Sequence, residues 1–152
     1  MDVLKQEATI RWLSHPPKGT PRLTVGSESI TPSLPLNVDR HAKHPLATSP
    51  GELLAGVIGA AFASLHAEEL VLQGTQAREL TASVTLTMSD EASDGANLIL
   101  SAIRCQVLAR VPGIDQDQLE DGANAAMARC IEALAMRPER IAVTVDALLE
   151  GA

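Results

Sequence analysis

The stretch Ser49-Pro50-Gly51-Glu52-Leu53-Leu54-Ala55-Gly56-Val57-Ile58-Gly59-Ala60-Ala61-Phe62 decides how the chain is read. Ser49 is a good N-cap. Pro50 suits the first helical position, where a missing N–H is no loss, and Glu52 completes a Ser-x-x-Glu capping box. The spacing predicts a helix running to about Gln73 and stopping at Gly74. At 1.5 Å per residue, about 24 residues reach roughly 36 Å. Its first half is apolar on every side, and a helix apolar all round is expected to be buried all round. In a chain of 152 residues, that points to a central helix wrapped by sheet, or to a helix shared with a second subunit. The nearly uncharged run from Leu53 to Leu65 is shorter than the 18 or so residues that a membrane span needs, so a buried helix is expected and no membrane.

On the N-terminal side, Ala8 to Leu13 alternates and is expected to be a strand. Arg22 to Val25 and Glu28 to Leu34 are expected to pair as a hairpin about Gly26-Ser27. From Pro35 to Ser49 there is no periodicity, and so long a loop in a compact domain is usually functional or disordered. On the C-terminal side, Glu79 to Met88 alternates, with Leu80, Ala82, Val84, Leu86 and Met88 facing inward. Asn97 to Val111 reads as a long strand. Ile99, Ile103, Cys105, Val107, Ala109 and Val111 are expected on one face, and Leu100, Arg104, Gln106, Leu108 and Arg110 on the other. Asp115 followed by Gln118 caps a second helix, whose stripe carries Leu119, Ala123, Ala126, Met127, Cys130, Ile131 and Leu134. Arg140 to Leu149 is a last strand, with Ile141, Val143, Val145, Ala147 and Leu149 on one face. The whole reads as a single α+β domain over residues 1–152.

Composition removes several function classes. The formal net charge is -7, and one Trp and one Phe are the only aromatics. A nucleic-acid binder needs basic surface and stacking faces, and neither is supplied. Two cysteines cannot staple a secreted scaffold. The N-terminus lacks a signal-peptide apolar stretch, so a cytoplasmic protein with reduced thiols is expected.

Chemistry therefore falls to few residues. Cys105 lies on the apolar face of a strand, where a free cysteine is ordinarily core filler. Cys130 stands mid-helix, without a helix N-terminus to depress its pKa, so only a cation from elsewhere could activate it. His41 and His44 sit beside Arg40 and Lys43 in the long loop, and a solvated basic loop is the simpler reading. His66 with Glu69 reads as a surface ion pair. No metal set, cofactor motif, phosphate loop or G-x-S-x-G elbow is present.

Three segments resemble the OsmC/Ohr family of osmotically induced proteins and organic hydroperoxide reductases. Ser49 to Phe62 is similar to the first-helix pattern N-P-E-E-L-L-A-A-A-H-A-A-C-F. Ala109-Arg110-Val111-Pro112-Gly113-Ile114-Asp115 resembles the strand end A-x-V-P-G-(I/L)-D/S. Ala126-Met127-Ala128-Arg129-Cys130 resembles A-x-x-x-C-P-(V/Y)-S. The resemblance implies antiparallel sheets wrapped around two long central helices in an intertwined homodimer. It also implies a peroxidase in which a first-helix cysteine attacks an organic hydroperoxide, a second-helix cysteine resolves the sulfenic acid, and a dithiol reduces the disulfide.

Residue by residue, the resemblance makes Cys130 the second-helix thiol, Arg40 the loop arginine that lowers a thiol pKa, and Glu52 the carboxylate that orients it. The departures are specific. Ala61 stands at the peroxidatic cysteine, Ile58 at the histidine before it, Gly51 at the first glutamate, and Ile131 and Ala133 after Cys130. A methyl group cannot attack an O–O bond. Either Cys130 reacts alone, resolved by an external thiol or by Cys105, or the scaffold is non-catalytic and holds a hydrophobic small molecule at the dimer interface.

Overall fold

The computed structural model describes residues 8–11, 22–25, 34–36, 47–90 and 98–151. The chain divides into two compact units, Met1–Leu54 and Ala55–Ala152.

In the first unit, β1 (Ala8–Arg11), β2 (Arg22–Val25) and β3 (Leu34–Pro35) form an antiparallel sheet in that order. The register Arg22↔Pro35 and Leu23↔Leu34 centres the β2–β3 connection beyond Gly26-Ser27, later than expected, and residues 26–33 lie outside the described set. The ends of the long loop are tied together: Thr48 N donates to Pro35 O at 3.0 Å, and Leu36 bridges Thr48 in parallel. The predicted capping box forms. Glu52 N donates to Ser49 Oγ at 3.0 Å and Ser49 N to Glu52 Oε1 at 3.4 Å, starting helix α1 (Pro50–Leu72).

The second unit holds the rest of α1 and then β4 (Glu79–Asp90), β5 (Leu98–Arg110), α2 (Gln116–Ala133) and β6 (Ala142–Leu149). The sheet order is β4-β5-β6. β4 and β5 are antiparallel, but β5 and β6 are parallel. The sheet is therefore mixed, where antiparallel pairing was expected. The cause is α2, which occupies the connection between β5 and β6 and returns the chain to the same end of the sheet, as a βαβ unit requires. Gln116, at the start of α2, donates its amide to Ala147 O and accepts from Leu149 N at 2.9 Å. It thus satisfies part of the edge of β6 that β5 leaves unpaired.

A bulge changes one predicted face. Thr87 pairs with Ala102 but Met88 pairs with Leu100, so Ser101 is the extra residue on β5. One added residue reverses the alternation beyond it. Leu100, expected on the outer face, packs against the core instead. Met88 lies near the end of the sheet, where the core no longer covers it, and is exposed.

The core comprises Ile103, Cys105, Val107 and Ala109 from β5, Leu119, Ala123, Ala126, Met127 and Cys130 from α2, and Ile58, Phe62 and Leu70 from α1. Leu134, expected on the α2 stripe, is part-exposed because the helix has already ended at Ala133. Helix α1 departs most from expectation. Within one chain it buries only the stripe Ile58, Phe62, His66 and Leu70, while Leu54, Val57, Val71 and Leu72 are 43%, 53%, 60% and 77% exposed. By length and hydropathy alone, α1 also meets the requirement for a membrane span.

Both helices end in the same way. At α1, Gly74 N donates to Val71 O and Thr75 N to Leu70 O, with Gly74 at φ 84°. At α2, Ala135 N donates to Glu132 O and Met136 N to Ile131 O, with Ala135 at φ 52°. Each is a Schellman closure, and it needs a left-handed residue. Glycine takes that conformation freely, but alanine does so against steric resistance from its Cβ.

Candidate functional site

The second unit brings its chemistry to the seam between α1 and α2. From Ile58 on α1 to Gln73 just past its end, the contacts pass from Cys130 back to Gln118 along α2, so the helices run antiparallel. Cys130 is fully buried, and its thiol faces the Ile58 carbonyl oxygen at 4.0 Å. That oxygen accepts an S–H but repels a thiolate. Burial pushes the Cys130 pKa above its usual value. Cys105 is equally buried, and its pKa is pushed up to about 11, first by burial and then by Cys130. The two thiols are thus electrical neighbours across the core, and both are held protonated at neutral pH. Both are free.

Neither of the residues expected to assist Cys130 is seen doing so. Arg40 lies outside the described residues, as do His41 and His44. Glu52 is exposed, and its carboxylate accepts from Ser49 N in the capping box. Ala61, at the position of the missing nucleophile, is partly buried against the core. Among the described residues, no group of three His, Cys, Asp or Glu gathers that could hold a metal.

His66 is the residue that sequence reasoning misplaced. It is not on the surface, and it does not pair with Glu69. It is fully buried, with its ring 5.5 Å from that of Phe62 at an interplanar angle of 48°. Glu69 instead joins Glu68 in clamping Arg129 of α2, at 3.0 Å and 2.9 Å. The signal was available: His66 stands at strict four-residue spacing in the series Ile58, Phe62, His66, Leu70, which keeps it on the buried stripe. Gly122 was also missed. A Cβ there would lie 3.3 Å from Gln73 Nε2 and 3.4 Å from His66 Nε2, so the glycine is what lets α1 side chains reach the α2 backbone. Beside this seam, an open groove of about 750 Å³ is lined by Ser64, Ala67, Val71 and Leu72, with Glu68, Glu69 and Arg129 at its polar side.

Solved structures share this fold. An OsmC-like protein of unknown function from Vibrio cholerae is similar with a TM-score of 0.75 and 11% identity, covering 96% of this chain and 100% of its own. The chain has the OsmC/Ohr fold. An OsmC-like protein from Mycoplasma pneumoniae is similar at TM-score 0.74 and 15% identity, over 99% of this chain and 100% of its own. The organic hydroperoxide resistance protein OhrB of Bacillus subtilis is similar at TM-score 0.68 and 16% identity, over 95% of this chain and 98% of its own. No family model and no curated protein matches the sequence. The likeness is therefore one of OsmC/Ohr fold.

Proposed function

We propose that this OsmC/Ohr-type chain has lost the two-cysteine hydroperoxide reductase cycle and serves as a homodimeric, cytoplasmic scaffold that binds a hydrophobic small molecule. One observation carries the loss of the cycle: the Cys130 thiol is buried against a carbonyl oxygen and kept protonated. A thiol reacts with peroxide as thiolate, and thiolates form beside cations or helix N-termini. Ala61 supplies no second thiol for a disulfide. Two observations support the binding role. Leu54, Val57, Val71 and Leu72 leave one face of α1 apolar and exposed, which a second subunit would cover and so make the helix central. The groove beside Arg129 runs along that same helix.

The test is consumption of cumene hydroperoxide with dihydrolipoamide as dithiol reductant, comparing the unaltered chain with Cys130→Ser. No turnover in either is expected. Turnover that disappears in Cys130→Ser would overturn the proposal in favour of a one-cysteine peroxidase using Cys130, with Arg40 as its activating cation.

A further inference from the structure

His66 is used by no step of that proposal, yet it is a fully buried polar residue in the second unit's core. Both its ring nitrogens are sealed from solvent without a hydrogen-bond partner among the described residues. A buried imidazole without partners is costly, and a buried imidazolium far more so. Its position magnifies the effect. The ring is held between Phe62 on its own helix and Gly122 on α2, where one added Cβ would already be in van der Waals contact with it. It therefore cannot swing aside without parting the helices.

We propose that His66 is an acid-sensitive latch: the α1–α2 seam stays closed while the imidazole is neutral and opens when it is protonated, uncovering Cys130. The charged groups around it set the direction. On α1, Glu69 favours protonation, but its carboxylate is drawn off by Arg129 of α2, which also holds Glu68. From α2, the Leu119 backbone favours the charged ring, although it makes no hydrogen bond of normal geometry to it. No charged group of β4, β5 or β6 among the described residues acts on it. Burial outweighs these attractions and holds the His66 pKa below its usual 6.5.

The open form thus binds the proton more tightly than the closed form. Opening is rare above pH 6.5. It rises about tenfold for each pH unit below that, until the closed-state pKa is reached. Cys130 reports it, because its thiol lies in the same seam two turns along α1 at Ile58. The latch does not depend on whether Cys130 reacts with peroxide.

The experiment measures labelling of Cys130 by a pyridyl disulfide between pH 7.5 and 5, normalised to the urea-unfolded chain, with helix content followed by circular dichroism. The expected result is normalised labelling that accelerates below pH 6.5, by up to about tenfold per pH unit until the closed-state pKa is reached, while helix content holds, and a flat normalised profile in His66→Leu. A flat profile in the unaltered chain, or the same acceleration in His66→Leu, overturns the latch. Should His66→Leu not fold, carbon-13 histidine NMR on the unaltered chain decides instead. One of its four histidines must titrate with a midpoint below 6.5 in step with Cys130 labelling. If all four titrate at or above 6.5, the latch fails.

Discussion

His66 of α1 faces Gly122 of α2 across a gap that one methyl group would fill, with a Cβ at residue 122 lying 3.4 Å from His66 Nε2. Two effects compete in Gly122→Ala. Helix propensity favours alanine by about 1 kcal/mol in a helix interior. Crowding would oppose this only where a neighbour cannot give way. A Cβ at residue 122 would lie 3.4 Å from His66 Nε2, an ordinary van der Waals distance, and 3.3 Å from Nε2 of Gln73, an exposed side chain that can move. The expected outcome is therefore a net gain approaching about 1 kcal/mol, read by urea denaturation. A loss would show that the seam cannot accept even one methyl group, and a double-mutant cycle with His66→Ala would then measure how much of it His66 causes.

Ala135 closes α2 with a left-handed backbone that Gly74 adopts without strain at the end of α1. For alanine that conformation costs about 1–2 kcal/mol, part of which glycine's greater freedom in the unfolded chain cancels. Ala135→Gly is expected to stabilise by about 0.5–1 kcal/mol and to raise the melting temperature by a few degrees. Gly74→Ala is expected to lose about 1 kcal/mol. A Cβ at Gly74 would touch nothing within 4 Å, so its cost is purely that of the backbone. Calorimetry on both variants tests the pair.

These positions show where the sequence could be read and where it could not. Ser49, Glu52, Asp115 and Gln118 announce helix starts because capping is local: the partners lie three residues apart and need nothing else. The inward faces of β6 and of β4 as far as Leu86 were legible for the same reason, since alternation is a property of one strand. Leu100 was not. Its face depends on the bulge at Ser101, a mismatch between two strands that neither strand records alone. The parallel pairing of β6 beside β5 is likewise a property of the βαβ path. At the site, the thiol positions were readable but their environment was not. Cys130 faces a carbonyl rather than a cation because of where α1 lies across the seam. His66 was misplaced because Glu69, the obvious partner by spacing, is claimed by Arg129 from another helix.

The buried thiols give the chain a pH dependence at its alkaline end. Cys105 has its folded-state pKa raised to about 11, above that of an unfolded cysteine. The folded state therefore binds the proton more tightly. The stability this contributes is complete below the unfolded value, near 8.5–9, and is lost as pH rises toward 11. Urea midpoints are expected to fall steadily between pH 9 and 11 and to fall less steeply in Cys105→Ala. Equal slopes in the two proteins would show that the Cys105 thiol does not control alkaline stability. At pH 7, titration with a thiol reagent is expected to find neither cysteine until denaturant is added, since both are fully buried.

The last prediction concerns the apolar face of α1. A helix carrying Val57 at 53% exposure and Leu72 at 77% presents apolar side chains to water near both its ends, on the face that Ser64 and Glu68 share, and exposed apolar surface of this kind marks interaction sites. The proposed homodimer removes it by setting that face against a second copy. Light scattering is expected to give twice the 16.0 kDa chain mass. Val57→Glu would place a charge on the covered face without touching the buried stripe of Ile58, Phe62, His66 and Leu70, and a desolvated, unpaired carboxylate strongly disfavours association. The expected result is a shift toward monomer with helix content retained. A unaltered chain that scatters as a monomer, or a Val57→Glu variant that stays dimeric, would mean that this face of α1 is not where two copies meet.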